Sequence, residues 1–171
     1  KNNSKYSLII LCAGKNSELA NYYFNKYIFK ISYKEMSITT ILKHQQIENA
    51  TVRQFFLNEG ILALLPISKS ETSIVWSVKK KYIDKPKTTN QIFFKKKILY
   101  YTKNFLKKVK FHSKLEFNSL SLVVQKKYFG DRILLFGDAL HVVHPFSGQG
   151  FNMVVRDLKD LNEIIINKIN L

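Results

Sequence analysis

Arg132-Ile-Leu-Leu-Phe-Gly137-Asp138-Ala139-Leu-His141-Val-Val-His144-Pro145-Phe-Ser-Gly148-Gln149-Gly150-Phe151-Asn152 is the stretch on which the fold turns. Residues 132–136 form an apolar run of strand length. Gly137 ends it where a ligand can approach the backbone, and Asp138 sets a carboxylate at the carboxyl end of the expected strand. In open α/β sheets, ligands bind at that end. Pro145 then turns the chain, and Gly148 and Gly150 leave peptide N–H groups uncovered ahead of an amphipathic stretch. Bare amides at a helix start attract negative charge. One segment thus predicts a strand end, a tight loop and a helix start.

A carboxylate accepts hydrogen bonds from sugar-like hydroxyls, and bare amides favour an anion. Together they suit a flavin nucleotide, with Asp138 on the ribityl hydroxyls and the Gly148–Asn152 turn facing the ring or the phosphates. The plain alternative is a strand–loop–helix connection whose glycines only turn the chain. The joint spacing after an apolar strand favours the nucleotide.

The stretch resembles the second flavin-binding motif of the para-hydroxybenzoate-hydroxylase-like monooxygenases. It is most similar to the branch that hydroxylates polyprenylated phenols in ubiquinone biosynthesis. The matching residues are Arg132, Leu135, Gly137, Asp138, Ala139, His141, Pro145, Gly148, Gln149, Gly150, Asn152 and the Arg156-Asp157 pair. Ala50–Ile67 and Thr72–Ser77 look like the same branch's mid-chain signature, including its Leu-Pro strand and Val-Trp-Ser. Leu8–Cys12 reads as a buried parallel strand. After that strand Gly14 and Ser17 fit the family pattern, whereas Ala13 and Ala20 stand where it carries an acid and an arginine.

The resemblance implies a mixed α/β architecture: a partial Rossmann-like FAD-binding domain, residues 1–20 and 125–171, interrupted by an antiparallel-sheet substrate domain, residues 21–124. It implies FAD as cofactor, held at Gly137, Asp138, Ala139, Pro145, Gly148, Gln149, Gly150, Asn152 and Gly14, with NADPH or NADH as reductant. Ring hydroxylation of a polyprenylated phenol by dioxygen, through a flavin hydroperoxide, follows from it, with no catalytic side chain and no metal. Partner proteins of ubiquinone biosynthesis also follow. The first Gly-x-Gly-x-x-Gly unit of the family is not in the chain, which starts at Lys1 and ends in a helical pattern at Leu171. It is therefore expected to be the middle and later part of a longer protein. A non-catalytic remnant or interaction subunit of the same family is the second reading.

Composition agrees with one domain-sized, core-forming piece: 171 residues, 46% hydrophobic and 13% aromatic. The single cysteine, Cys12, is expected in the core and fits a reducing, cytoplasmic setting. No apolar run reaches the roughly 18–20 residues that span a bilayer. Twenty-eight basic against twelve acidic residues give a net charge of +16. AT-rich coding bias explains this without a partner. Attraction to an anionic membrane, with the protein peripheral to the inner membrane, is the second explanation. Binding to nucleic acid is a distant third.

The remaining periodicities predict a strand over 36–43 and a hairpin of Val52–Leu57 with Ile61–Pro66 around Asn58-Glu59-Gly60. They predict a further strand over Thr72–Val78 with Ile74, Trp76 and Val78 on one face. A helix is expected from Thr88 to about Lys108 after Pro86, and a bulged strand over Leu115–Val124. The last helix, Phe151–Ile169, should turn Phe151, Val154, Val155, Leu158, Leu161, Ile165 and Ile169 inward. His141 should position its loop through the backbone, and His44 and His112 have no visible partner. Two histidines three apart, His141 and His144, lack a further ligand at metal-binding spacing. Ser17, Ser147 and the histidines make no nucleophile–base set. Trp76 is expected to pack a core rather than line a substrate pocket, and Arg53 either holds a phenolate or phosphate or, equally, is a surface arginine on an edge strand.

Overall fold

β-branched and aromatic residues alternate over most of residues 28–79, and that alternation builds the larger part of the fold. The computed structural model describes residues 6–15, 17–83, 87–145 and 148–169. Pro86 and Ser147 lie outside the described residues, and of the Ile169 side chain nothing is described. The chain divides into two units: residues 34–120, and residues 1–33 with 121–171. The fold is α/β, with helices and both parallel and antiparallel strand pairs.

In the 34–120 unit, strand β2 (Ile28–Lys43, entering from the other unit) pairs antiparallel with β5 (Glu71–Lys79). Strand β5 pairs with β4 (Gly60–Ser68), and β4 with the edge strand β3 (Arg53–Leu57). The hairpin between β3 and β4 has a two-residue loop, Asn58-Glu59. Gly60 follows it at φ +146°, and a Cβ there would lie 1.8 Å from the Ser77 carbonyl oxygen. Only glycine fits that approach. The register sets Ile38 opposite Trp76 and Trp76 opposite Leu62, so one face of the sheet is continuously apolar.

Helix α2 (Lys87–Thr102) covers that face. Phe94 meets Trp76 edge-on at 5.2 Å between ring centroids, and Ile98, Leu106 and Leu115 complete the core. The helix stops at Thr102, short of the expected end near Lys108. The Thr102 hydroxyl donates to the Ile98 carbonyl at 2.8 Å, and the N–H groups of Phe105 and Leu106 turn back to the Thr102 carbonyl. A threonine competing for the preceding turn is a common place for a helix to yield. Strand β6 (Lys110–Phe111) then pairs with β2. His44, expected without partner, is buried, with its ring nitrogens paired to the Gln45 carbonyl and the Thr72 hydroxyl. Arg53 lies on the edge strand, its guanidinium stacked 4.7 Å from the Phe105 ring centroid.

In the other unit, β1 (Ile9–Leu11) runs parallel to β9 (Ile133–Leu135), which forms a hairpin with β8 (Phe129–Gly130). Arg132, expected in the strand, is in the turn instead. Asp131 and Arg132 both take left-handed conformations, φ +49° and +63°, as a two-residue hairpin loop demands. Helix α1 (Glu18–Phe24) follows Gly14 and is capped by Ser17, whose hydroxyl accepts the Ala20 N–H at 3.1 Å. Strand β7 (Glu116–Gln125) enters from the other unit and pairs antiparallel with β10 (His141–Val142). Helix α3 (Gln149–Ile169) ends the described chain.

Two expectations fail in this unit. Cys12 is exposed, and Ile10 of β1 is open to solvent, because β1 has a paired neighbour on one side only among the described residues. In α3, Val154 and Leu161 are half-buried, but Phe151, Val155, Leu158 and Ile165 are exposed. The sheet beside α3 is three strands wide and leaves a cleft of about 220 Å³ against the helix, lined by Tyr128, Leu134, Phe136, Leu140, Leu161 and Ile164 among others. A surface that narrow covers only part of the apolar stripe.

Candidate functional site: a carboxylate and two open glycines at a parallel strand edge

The parallel pairing of β1 and β9 sets Leu11 beside Leu135, and the Phe136 N–H donates to the Leu11 carbonyl at 3.0 Å. Both strands therefore end at one edge. From that edge leave the Cys12–Gly14 segment and a short turn, Gly137–Ala139. Two segments separated by more than a hundred residues of sequence are thus neighbours at the carboxyl ends of parallel strands.

Gly137 opens the turn at φ +63°, and its carbonyl accepts the Leu140 N–H at 2.9 Å. Asp138 is exposed, and its carboxylate has no hydrogen bond among the described residues. Ala139 points the other way, into a core with Ala20, Phe24, Ile133 and Leu135. Its side chain is thereby unavailable to a ligand, and only its backbone remains for contact. Gly14 and Gly148 also have left-handed φ, +76° and +66°, and open space where a Cβ would stand. Pro145, Gln149 and Asn152 are exposed. Gln149 is the first residue of α3, with Gly150 behind it and the Asn152 carbonyl accepting the Arg156 Nε–H at 3.4 Å.

Three proximities relate residues 137–143 to α3. A Cβ on Gly137 would lie 4.0 Å from Val154 of α3, and one on Gly150 would lie 3.8 Å from Val143. The third is an ion-pair geometry: His141 Nε2 lies 2.6 Å from the Asp157 carboxylate, with the imidazole about nine-tenths buried. His141 was expected to bond backbone, and its partner is a side chain sixteen residues on. No helix or strand period links those positions, so only tertiary contact reveals the pair. His144 packs edge-on against Tyr33 at 4.9 Å.

An exposed carboxylate accepts hydroxyl donors, and backbone amides at a helix start favour an anion. Glycines with vacant Cβ space admit a flat or phosphorylated ligand to the main chain. The donor set fits a flavin nucleotide. Ala20 has a methyl side chain and so supplies no cation, and it is packed in the core.

Comparisons with known proteins give the family and the fold. A family model described as an FAD binding domain matches residues 13–170. The mitochondrial ubiquinone biosynthesis monooxygenase COQ6 of Dictyostelium discoideum is 29% identical over 147 residues, covering 67% of this chain and 29% of its own. The ubiquinone hydroxylase UbiL of Rhodospirillum rubrum is 25% identical over 136 residues, covering 80% of this chain and 32% of its own. The chain thus spans about three tenths of the length of these relatives. Among solved structures, the flavin-dependent halogenase CmlS matches with a TM-score of 0.71 and 14% identity, over 87% of this chain and 28% of its own, a likeness of fold.

Proposed function

The chain belongs to the FAD binding domain family, and from that premise we propose that it is part of a flavoprotein monooxygenase hydroxylating the ring of a polyprenylated phenol in ubiquinone biosynthesis. The exposed carboxylate of Asp138, without a hydrogen bond among the described residues, at the edge shared by β1 and β9 carries this reading. The names of the matched relatives support the substrate class. Bound FAD would supply electron transfer from NADPH or NADH and activation of dioxygen.

The chain's own residues bind and orient. Asp138 accepts hydrogen bonds from the ribityl hydroxyls. Gly14 and Gly148 let the ligand reach the main chain, and the amides at the Gln149-Gly150 start of α3 favour negative charge on the reduced ring. Pro145 and Asn152 border the same segment, and Ala139 contributes backbone. The His141–Asp157 pair holds α3 against the turn. The antiparallel unit bears the phenol, and an anionic membrane surface delivers that greasy substrate, with partner proteins beside it.

Titration of the chain with FAD, followed by quenching of flavin fluorescence, tests the reading. Replacing Asp138→Ala should weaken binding by about tenfold or more, the loss of at least one charge-assisted hydrogen bond of about 1.5 kcal/mol at 1.4 kcal/mol per tenfold. Equal affinity in the two proteins would remove Asp138 from the site.

A further inference from the structure

We propose that the outer face of α2 is a docking surface for an anionic phospholipid membrane. The inference rests on the membrane element of the reading above and gives that element a place. Ile92, Lys96, Leu99, Tyr100 and Lys103 recur at i, i+4, i+7, i+8 and i+11, which is a single stripe on a 3.6-residue helix. Ile92 is 59% exposed, Leu99 40% and Tyr100 62%. The opposite side of the same helix carries Phe94, Ile98 and Thr102, all fully buried. A surface helix ordinarily turns a polar face to water. This one is apolar on both sides, and its outer side adds lysines.

Charge is segregated around it. Ten lysines fall between Lys85 and Lys114, and no acid occurs between Asp84 and Glu116. Coding bias adds lysine throughout a chain, but it does not align aliphatic side chains outward between them. Glu59, an acid that reaches this helix, is paired with Lys97. Beside the stripe, Phe93, Lys96, Lys97, Tyr100 and Tyr101 line a shallow groove of about 430 Å³. Lys103 lies 4.5 Å from the Tyr100 ring centroid, and Lys97 5.5 Å from that of Phe93. Aliphatic and tyrosine side chains enter the headgroup boundary while lysine stems lie along them and hold the ammonium groups at phosphate depth. Nucleic acid would meet the lysines but leave Ile92 and Leu99 against its phosphates, without donors or acceptors for base edges.

Flotation of the chain with vesicles of phosphatidylcholine alone, and of phosphatidylcholine mixed with phosphatidylglycerol, tests the proposal. The unaltered chain should bind the anionic vesicles and release at high salt. Lys96→Glu with Lys103→Glu should weaken partitioning by more than tenfold, since each surface lysine contributes about fivefold. Ile92→Ser with Leu99→Ser should weaken it as clearly. Lys126→Glu with Lys127→Glu, an equal charge change outside the 34–120 unit, should leave most of it. A Leu99→Trp reporter should shift its emission to the blue on anionic vesicles, with Trp76 a buried background. Full binding by both α2 double variants would overturn the assignment of this face. No binding by the unaltered chain would overturn the membrane element itself. Loss of binding to duplex DNA in the α2 variants, with vesicle binding untouched, would overturn it in favour of nucleic acid. FAD affinity in all these variants stays that of the unaltered chain, which separates this test from that of the flavin site.

Discussion

Asp157 shows what one residue contributes beyond its own element. It sits in the third turn of α3, and its carboxylate reaches the His141 ring on β10. Removing a partner from a largely buried polar pair leaves the other unsatisfied. Asp157→Ala should lower stability by about 1–3 kcal/mol in urea titration. A double-mutant cycle with His141→Ala should return coupling of about 0.5–3 kcal/mol, and coupling near zero would mean that the pair holds nothing. Glu59 makes a pH-dependent case. Burial pushes its carboxyl up, but the hydrogen bond from Lys97, a backbone hydrogen bond and the Lys97 charge together hold it below the ordinary glutamate range. The Lys97 ammonium is correspondingly raised. A depressed carboxyl stabilises the fold above its unfolded pKa, and the gain is lost as pH falls through the folded value. Thermal unfolding from pH 7 to pH 3 should therefore be flatter in Glu59→Gln than in the unaltered chain. Parallel curves would show that the pair contributes no linkage.

At the scale of elements, the β8–β9 hairpin is held by a turn whose residues suit it poorly. Aspartate tolerates the left-handed region through its short polar side chain, whereas arginine has no such compensation. Asp131→Asn with Arg132→Gly keeps the backbone and relieves about 1–2 kcal/mol of left-handed strain, offset in part by about 0.5–1 kcal/mol of glycine entropy. A gain of a few tenths to about 1 kcal/mol is expected, read as a higher urea midpoint with unchanged slope. A loss would mean that the Arg132 side chain makes a contact worth more than the strain. Helix α2 shows the opposite balance: its buried side fits the sheet at Phe94 and Ile98, and its last residue, Thr102, returns its hydroxyl to the preceding turn.

For the molecule as a whole, the two units differ in what they bury. Among the described residues the 34–120 unit has eleven buried hydrophobic residues in one cluster, including Trp76 and Phe94, and the other unit has five, two of them alanine. Buried apolar area is the main stabilising contribution, and cooperative units with less of it open more readily. Amide hydrogen exchange should find its slowest groups in β2, β4 and β5, and faster exchange in β1, β9 and α3. Uniform protection across both units would show one cooperative block in place of two.

Local features were legible in the residues alone. The hairpin at Asn58-Glu59-Gly60 and the Ile74-Trp76-Val78 face followed from alternation and glycine punctuation, because those signals act over a few peptide units, and the FAD-binding family followed from the likeness of the Gly137–Asn152 motif to a known one. Tertiary structure alone decided that Gly14 and Gly137 leave one edge, that Ala139 and Ala20 face a core, and that His141 meets Asp157. It also decided that Cys12 and much of the α3 stripe stay open to water. Whether an apolar side chain is buried depends on the width of the surface opposite it, and that width is a property of distant strands.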